Sequence, residues 1–252
     1  MLIDTHTHLQ LVNYNKDREA VIQKALDAGV QGIVNISFDL PSSRASINLV
    51  EKYPFMKSSV GVHPHEAKGF DQNTIRELHS LASSKEVIAI GEIGLDFYRE
   101  LSPRENQIEI FQQQLELAKE MDLPVIIHTR NAYFELLKIV REQRIERGVL
   151  HCFSGNSENV KRGIALGFYF GIGGMVTFKN TPLTSLLKEI PLDRLLLETD
   201  CPFLTPRPHK GRNEPAHLRS ICQRIAEILK ISYEDVANQT SKNARSLFHL
   251  KV

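Results

Sequence analysis

The chain has 252 residues, 42% of them hydrophobic, and its 31 Lys and Arg against 30 Asp and Glu leave a formal charge of +1. This is enough apolar material for one large domain of α/β barrel size, and the balanced charge excludes a globally basic nucleic-acid binder, so any such contact has to be local. Three irregularly spaced cysteines exclude a disulfide framework, no apolar run approaches the roughly 18 residues of a membrane span, and Met1-Leu2-Ile3-Asp4 lacks a signal-peptide pattern, so the expected location is the cytoplasm.

Apolar strand candidates lie at residues 2–8, 32–37, 57–63, 87–95, 125–129, 148–153, 168–173 and 195–200. Segments of helical period alternate with them, at 17–28, 43–53, 74–83, 104–121, 132–143 and 157–166. The longest has a start signal: Ser102 as N-cap, Pro103 at the first helical position and Glu105 completing a capping box. Runs such as Val87-Ile88-Ala89-Ile90 are nearly continuous in apolar side chains, the pattern of parallel strands buried on both faces. A Pro-rich loop at 205–215 leads to helices at 217–229 and 233–248. Eight βα units without a Gly-rich first turn predict a single (β/α)8 TIM barrel over residues 1–252 with a C-terminal extra helix, rather than an open doubly wound sheet.

The chemistry gathers at the predicted strand ends. His6 and His8 point the same way from strand one, and Glu92, His128, His151 and Asp200 end strands four, five, six and eight. In a barrel these ends converge on one face. A single histidine there is more often a hydrogen-bonded structural residue, and a single Asp more often a helix cap. Six ligand types at six such positions point instead to a metal centre. Four imidazoles and two carboxylates suit two divalent ions, with Glu92 bridging, and the donors fit zinc, manganese or magnesium alike.

Seven stretches carry a family resemblance: Asp4-Thr5-His6-Thr7-His8-Leu9, Gly61-Val62-His63-Pro64-His65, Gly91-Glu92-Ile93-Gly94-Leu95-Asp96, His128-Thr129-Arg130, His151-Cys152-Phe153-Ser154-Gly155, Glu198-Thr199-Asp200-Cys201-Pro202 and Arg212-Asn213-Glu214-Pro215. Together, in this order, the chain resembles the TatD family of metal-dependent deoxyribonucleases, amidohydrolase-like enzymes with a two-metal (β/α)8 site. The resemblance implies that His6, His8, Glu92 and Asp200 hold one metal and Glu92, His128 and His151 the other. It also implies cleavage of DNA from the 3′ end. Two departures stand beside the site: Arg130-Asn131 replaces the usual Arg-Asp, and the basic loop is one residue shorter before Asn213.

Two metals roughly 3.5 to 4 Å apart activate water and clamp a phosphoryl group, with Glu92 and Asp200 as the catalytic carboxylates and Asp200 taking the proton. Glu198, two residues before Asp200, is expected to support a ligand from behind. Arg130, His63 and His65, together with Arg207, Lys210 and Arg212 of the basic loop, are the expected substrate contacts, to single-stranded DNA or DNA 3′ ends; no membrane and no obligate protein partner is implied. His79, His217 and His249 are expected to be ordinary residues. Cys152, Cys201 and Cys222 read as core packers, the first two pointing away from the site, and Phe97 and Tyr98 as loop packing, with stacking on a base as the alternative. The same constellation serves a metal-dependent deacylase or amidohydrolase, for example on aminoacyl-tRNA esters, as the alternative. A non-catalytic metal-binding protein, the third class, would need only four ligands.

Overall fold

The structure, a computed structural model, describes residues 1–250. Eight parallel strands follow in chain order, each hydrogen-bonded to the next: β1 (Leu2–Thr7), β2 (Val30–Asn35), β3 (Met56–Val60), β4 (Val87–Asp96), β5 (Val125–Arg130), β6 (Gly148–Leu150), β7 (Tyr169–Ile172) and β8 (Leu195–Leu197). Around them run α1 (Arg18–Asp27), α2 (Leu40–Val50), α3 (Gln72–Ala82), α4 (Arg104–Glu120), α5 (Tyr133–Glu142), α6 (Ser157–Ala165), the short α7 (Leu183–Leu186), α8 (Leu218–Leu229) and α9 (Tyr233–Phe248). This is the expected (β/α)8 barrel. Among the described residues no helix is long and apolar enough to cross a membrane.

The apolar residues form two clusters. The larger packs the helices onto the outside of the strands. The smaller joins Ile3, Val34, Ala89, Ile126, Val149 and Leu196, from six different strands, with Ala244, Leu247 and Phe248 of α9. Side chains of six strands meet only inside a closed cylinder, so α9, the extra helix, plugs the end opposite the catalytic face. Asn243 of the same helix donates to the carbonyls of Leu192 and Leu195, fixing it to the start of β8.

Capping decides several helix starts. Asp39, Asp71 and Asn156 each accept from the backbone three residues on, in reciprocal capping boxes. The predicted box at Ser102 is not formed: α4 begins at Arg104, with Pro103 at the N-cap and no side-chain cap. The Ser102 hydroxyl is already used, donating to the His65 carbonyl at 2.8 Å and accepting from the Lys68 amide at 3.1 Å. It thereby pins the loop that carries His63 and His65.

Several strands stop earlier than their apolar pattern. β3 ends at Val60, so His63 does not end a strand but caps a 3-10 turn at Pro64–Gly69. β6 ends at Leu150 and β8 at Leu197, after which Cys152 and Asp200 take left-handed φ values of 46° and 56°. The chain leaves the ladder there and turns its functional groups inward.

The β8–β1 seam closes by separate contacts instead of a continuous ladder. Thr7 pairs with Cys201, the Asp200 amide donates to the His6 carbonyl, and the His8 amide to the Cys201 carbonyl, both at 2.9 Å. Behind them the buried Asp4 carboxyl accepts from the Thr199 amide at 2.9 Å and meets the Thr199 hydroxyl at 2.7 Å. Burial pushes the Asp4 pKa up to about 8 against these hydrogen bonds. Removing the group leaves a buried amide unsatisfied, worth roughly 1–3 kcal/mol. In urea unfolding with chelator present, Asp4→Ala is therefore expected to lose about 2 kcal/mol and Asp4→Asn, which keeps the acceptor, clearly less. Equal stability of Asp4→Ala and the parent chain would show that the seam does not depend on this contact.

Candidate active site

The lumen-facing side chains become polar towards the C-terminal ends of the strands. On β1 a register shift between Asp4 and Thr7 inserts one residue relative to β2, so that Ile3 and both histidines serve the interior. On β4 a second shift, between Ile90 and Ile93, bulges the strand at Glu92. Bulges of this kind re-aim a side chain. Gly94, three residues' breadth from the bulge's start, has φ 142°, and a Cβ there would lie 1.9 Å from the His128 carbonyl oxygen, so only glycine permits β4 and β5 to approach this closely.

Glu92 occupies the centre. Its Oε2 lies 3.5 Å from His6 Nε2, while its Oε1 lies 3.1 Å from His128 Nδ1 and 3.7 Å from both His151 Nε2 and His63 Nε2. On the first side His6 Nε2 and His8 Nε2 are 3.2 Å apart, and Asp200 Oδ1 is 3.8 and 3.4 Å from them. Asp200 also reaches to 4.0 Å from His151 Nε2, and the His6 and His151 rings stack at 3.4 Å. All six residues expected to bind metal are thus brought together, with His63 beside them. Ligand atoms lie within 4.8 Å of one another in the sets His6, His8, Glu92 and His6, His151, Asp200.

The residues behind the cluster orient these rings. His8 Nδ1 faces the Ile36 carbonyl at 2.9 Å, which makes Nδ1 the protonated nitrogen and leaves the Nε2 lone pair for the cluster. Glu198, fully buried, places Oε1 3.1 Å from His151 Nδ1, off the hydrogen-bond direction, while accepting squarely from the Cys152 amide at 2.7 Å. Room for it exists because residue 171 is glycine: a Cβ there would sit 2.2 Å from Glu198 Oε2. His63 is sorted the other way. Its Nδ1 accepts from the His65 amide at 3.1 Å, so the neutral ring presents an N–H, not a lone pair, towards Glu92.

Asp96 joins the site as a residue that the apolar pattern of β4 does not single out. Its Oδ2 lies 2.8 Å from His65 Nε2 and 3.4 Å from His128 Nε2, and its Oδ1 accepts from the Tyr98 and Arg99 amides. Strand parity with Glu92 was the signal that would have found it, since both lie on β4 four residues apart. His65 accordingly serves Asp96.

The expected substrate contacts separate into two kinds. Arg130, Arg207 and Lys210 are exposed at the mouth. The Arg130 guanidinium lies 4.0 Å over the Tyr98 ring. Arg212 instead clasps Asp17 bidentately at 2.9 and 2.7 Å, reaches Glu214, and covers the Tyr14 ring at 4.4 Å. Its donors are spent joining the loop after β8 to the start of α1, a structural position rather than a free phosphate site. Cys201 and Cys222 are buried as expected. Cys152, in a left-handed backbone conformation, has its thiol within 4.8 Å of ligand atoms of His151 and of Glu198, the carboxylate behind the His151 ring. Burial holds that thiol well above its usual pKa, so it stays protonated.

Carboxylates and imidazoles in the cluster shift one another's pKa values. Burial alone would raise the Glu92 pKa, but His63, His151 and their neighbours hold it well below the carboxylate range, and Asp200 is lowered by His8 and His151 in the same way. Burial pulls His151 down, yet Glu198 and Glu92 outweigh it and lift the pKa to about 10; His8 and His128 are raised too by their carboxylates. Among the described residues, imidazoles are the basic groups that face the buried carboxylates of the cluster. His6 Nδ1, also buried, has no hydrogen-bond partner among the described residues. Divalent ions bound to nitrogen lone pairs would displace imidazole protons and meet the same charge, so the residues fit metal.

A barrel with such a buried histidine and carboxylate cluster at its strand ends has the build of a metal-dependent hydrolase. The chain belongs to the TatD related DNase family, whose model matches residues 3–249. It is 41% identical over 254 residues, 99% of this chain and 100% of the relative, to the uncharacterized metal-dependent hydrolase YabD of Bacillus subtilis (strain 168). It is 38% identical over 259 residues, 99% and 100% of the two chains, to the 3′-5′ ssDNA/RNA exonuclease TatD of Erwinia tasmaniensis. The crystal structure of YjjV, a TatD homolog from Escherichia coli K12, matches with a TM-score of 0.94 at 29% identity, covering 99% of this chain and 98% of that one.

If Glu198 orients His151, Glu198→Ala should weaken zinc binding about 10- to 100-fold in competition with a chromophoric chelator, with an unchanged circular dichroism spectrum. Zinc affinity equal to that of the parent would remove Glu198 from the site.

Proposed function

We propose that this protein hydrolyses phosphodiester bonds of single-stranded nucleic acid, DNA first of all, from the 3′ end, with two divalent ions. The observation that carries the reading is the division of Glu92, one oxygen towards His6 and the other towards His128 and His151. We assign His6, His8, Glu92 and Asp200 to one ion and Glu92, His128 and His151 to the other. The Erwinia relative, a 3′-5′ ssDNA/RNA exonuclease by name, supports the substrate class.

When bound, the ions supply Lewis acidity and lower the pKa of water. The protein's own groups do the rest. Asp200 is the most open of the four site carboxylates, 9% exposed against 5% for Glu92 and 1% for Asp96 and Glu198, and it is ionised, so it takes the proton from the attacking water. His63 donates its Nε2–H to a phosphate oxygen. Arg130 offers its fork to a neighbouring phosphate, and Arg207 and Lys210 draw the strand towards the mouth. His65 acts through Asp96, holding the β4 loop and the His128 ring. Residues 1–252 work as one barrel unit in this reading.

The test strips metal with chelator, restores magnesium, manganese or zinc in turn, and follows a 5′-labelled single-stranded oligonucleotide on a gel. A metal-dependent ladder shortening from the 3′ end is expected, lost in Glu92→Ala and in a folded Asp200→Asn. An oligonucleotide left intact under every metal would refute the assignment and direct attention to ester and amide substrates, aminoacyl-tRNA among them. Binding in chelator should weaken steeply with added salt. The double substitution Arg207→Ala with Lys210→Ala should flatten that log–log slope by about 1.4.

A further inference from the structure

Among the described residues, the exposed large aromatic side chains are Tyr98, Phe134 and Phe203, at 60%, 68% and 52% of their full accessibility. All three lie just beyond the C-terminal ends of strands, β4, β5 and β8, on the rim of the active site. Leaving such a ring in water forgoes about 1.5–3 kcal/mol of burial, and a concentration of them on one face marks a binding surface. Two of the three touch the site. The Phe203 ring stands edge-on to His8 at 5.9 Å, on the β8–β1 side of the cluster. Tyr98 follows Asp96, whose carboxylate contacts His65 and His128, on the β4–β5 side, and carries the Arg130 guanidinium over one face. Glu92 lies between these two ends of the cluster, with His6 towards Phe203 and His128 towards Tyr98.

We propose that Phe203 and Tyr98 are stacking platforms for the bases on either side of the scissile phosphate, and that they select unpaired strands. The inference rests on the nucleic-acid reading above. The partner follows from the pairing of chemistries: a flat apolar ring beside a planar cation is what a base attached to a phosphate presents a surface for. Arg130 covers one face of Tyr98, leaving the other to a base and its own fork to the adjoining phosphate. A base in a duplex has both faces covered and its edge paired, so a double-stranded end must fray before it reaches either ring. Phe38, half-buried at 6.1 Å on His8, supports that imidazole independently, so Phe203 is free for this role.

Stacking on an aromatic ring is worth about 1–3 kcal/mol per base, about 5- to 150-fold in affinity. Two readouts test the platforms: the Kd of a fluorescein-labelled single-stranded oligonucleotide by anisotropy in chelator, and cleavage with metal restored. Phe203→Ala and Tyr98→Ala are each expected to raise Kd and KM by at least about 5-fold, with a much smaller change in kcat. On an oligonucleotide whose last two 3′ residues are abasic, the Phe203→Ala penalty should shrink to less than about 2-fold, because no base remains to stack. Phe203→Trp should retain the affinity that Phe203→Ala loses. Equal penalties on normal and abasic strands would mean that Phe203 merely packs His8, and no penalty in either alanine variant would overturn the platforms while leaving the nuclease intact. Failure of the parent protein to bind or cleave any oligonucleotide would overturn both readings together.

Discussion

A carboxylate buried among imidazoles is the interaction on which this molecule turns. Glu92 is 5% exposed, in the bulge of β4, with histidines from β1, the β3 loop, β5 and the end of β6 directed at its two oxygens. Burying a charge so deeply is tolerated only with compensating charge and hydrogen bonds. The surrounding strand ends are arranged to supply it. In return, the carboxylates raise the pKa of His8, His128 and His151 against the effect of their burial.

Much of the remaining architecture orients that group of rings. Glu198 stands behind His151, Asp96 behind His128, and the Ile36 carbonyl behind His8. Each supporting group is itself held: Glu198 by the Cys152 amide and the space above Gly171, Asp96 by the Tyr98 and Arg99 amides. The precision of the centre comes from these layers more than from the strands, several of which end before the functional residue is reached.

The eight strands were legible because parallel strands buried on both faces leave unbroken apolar runs, and the ligands because His and carboxylate residues ended those runs. What the sequence hid was local geometry. Alternation along a strand places His128 and Arg130 on one side but cannot foresee the left-handed turns at Cys152 and Asp200, which redirect a thiol and a carboxylate. Ser102 looked like a helix cap because its spacing to Glu105 was right, yet its hydroxyl was claimed by a loop 37 residues earlier in the chain. Arg212 looked like a free cation because Asp17, its bidentate partner, is 195 residues away. Long-range partners of polar side chains are the part that periodicity does not encode.

The seam between β1 and β8 has a consequence for the order of events in the life of the chain. His6 and His8 leave the ribosome first among the site residues, whereas Glu198 and Asp200 follow almost two hundred residues later, and the backbone contacts of Asp200 to His6 and of His8 to Cys201 join the two ends. A chain that stops short of that holds the histidines without Glu198 and Asp200. The site is therefore complete only in a chain that extends past Cys201, and a product cut short before residue 198 lacks Glu198, Asp200 and the contacts that join β8 to β1.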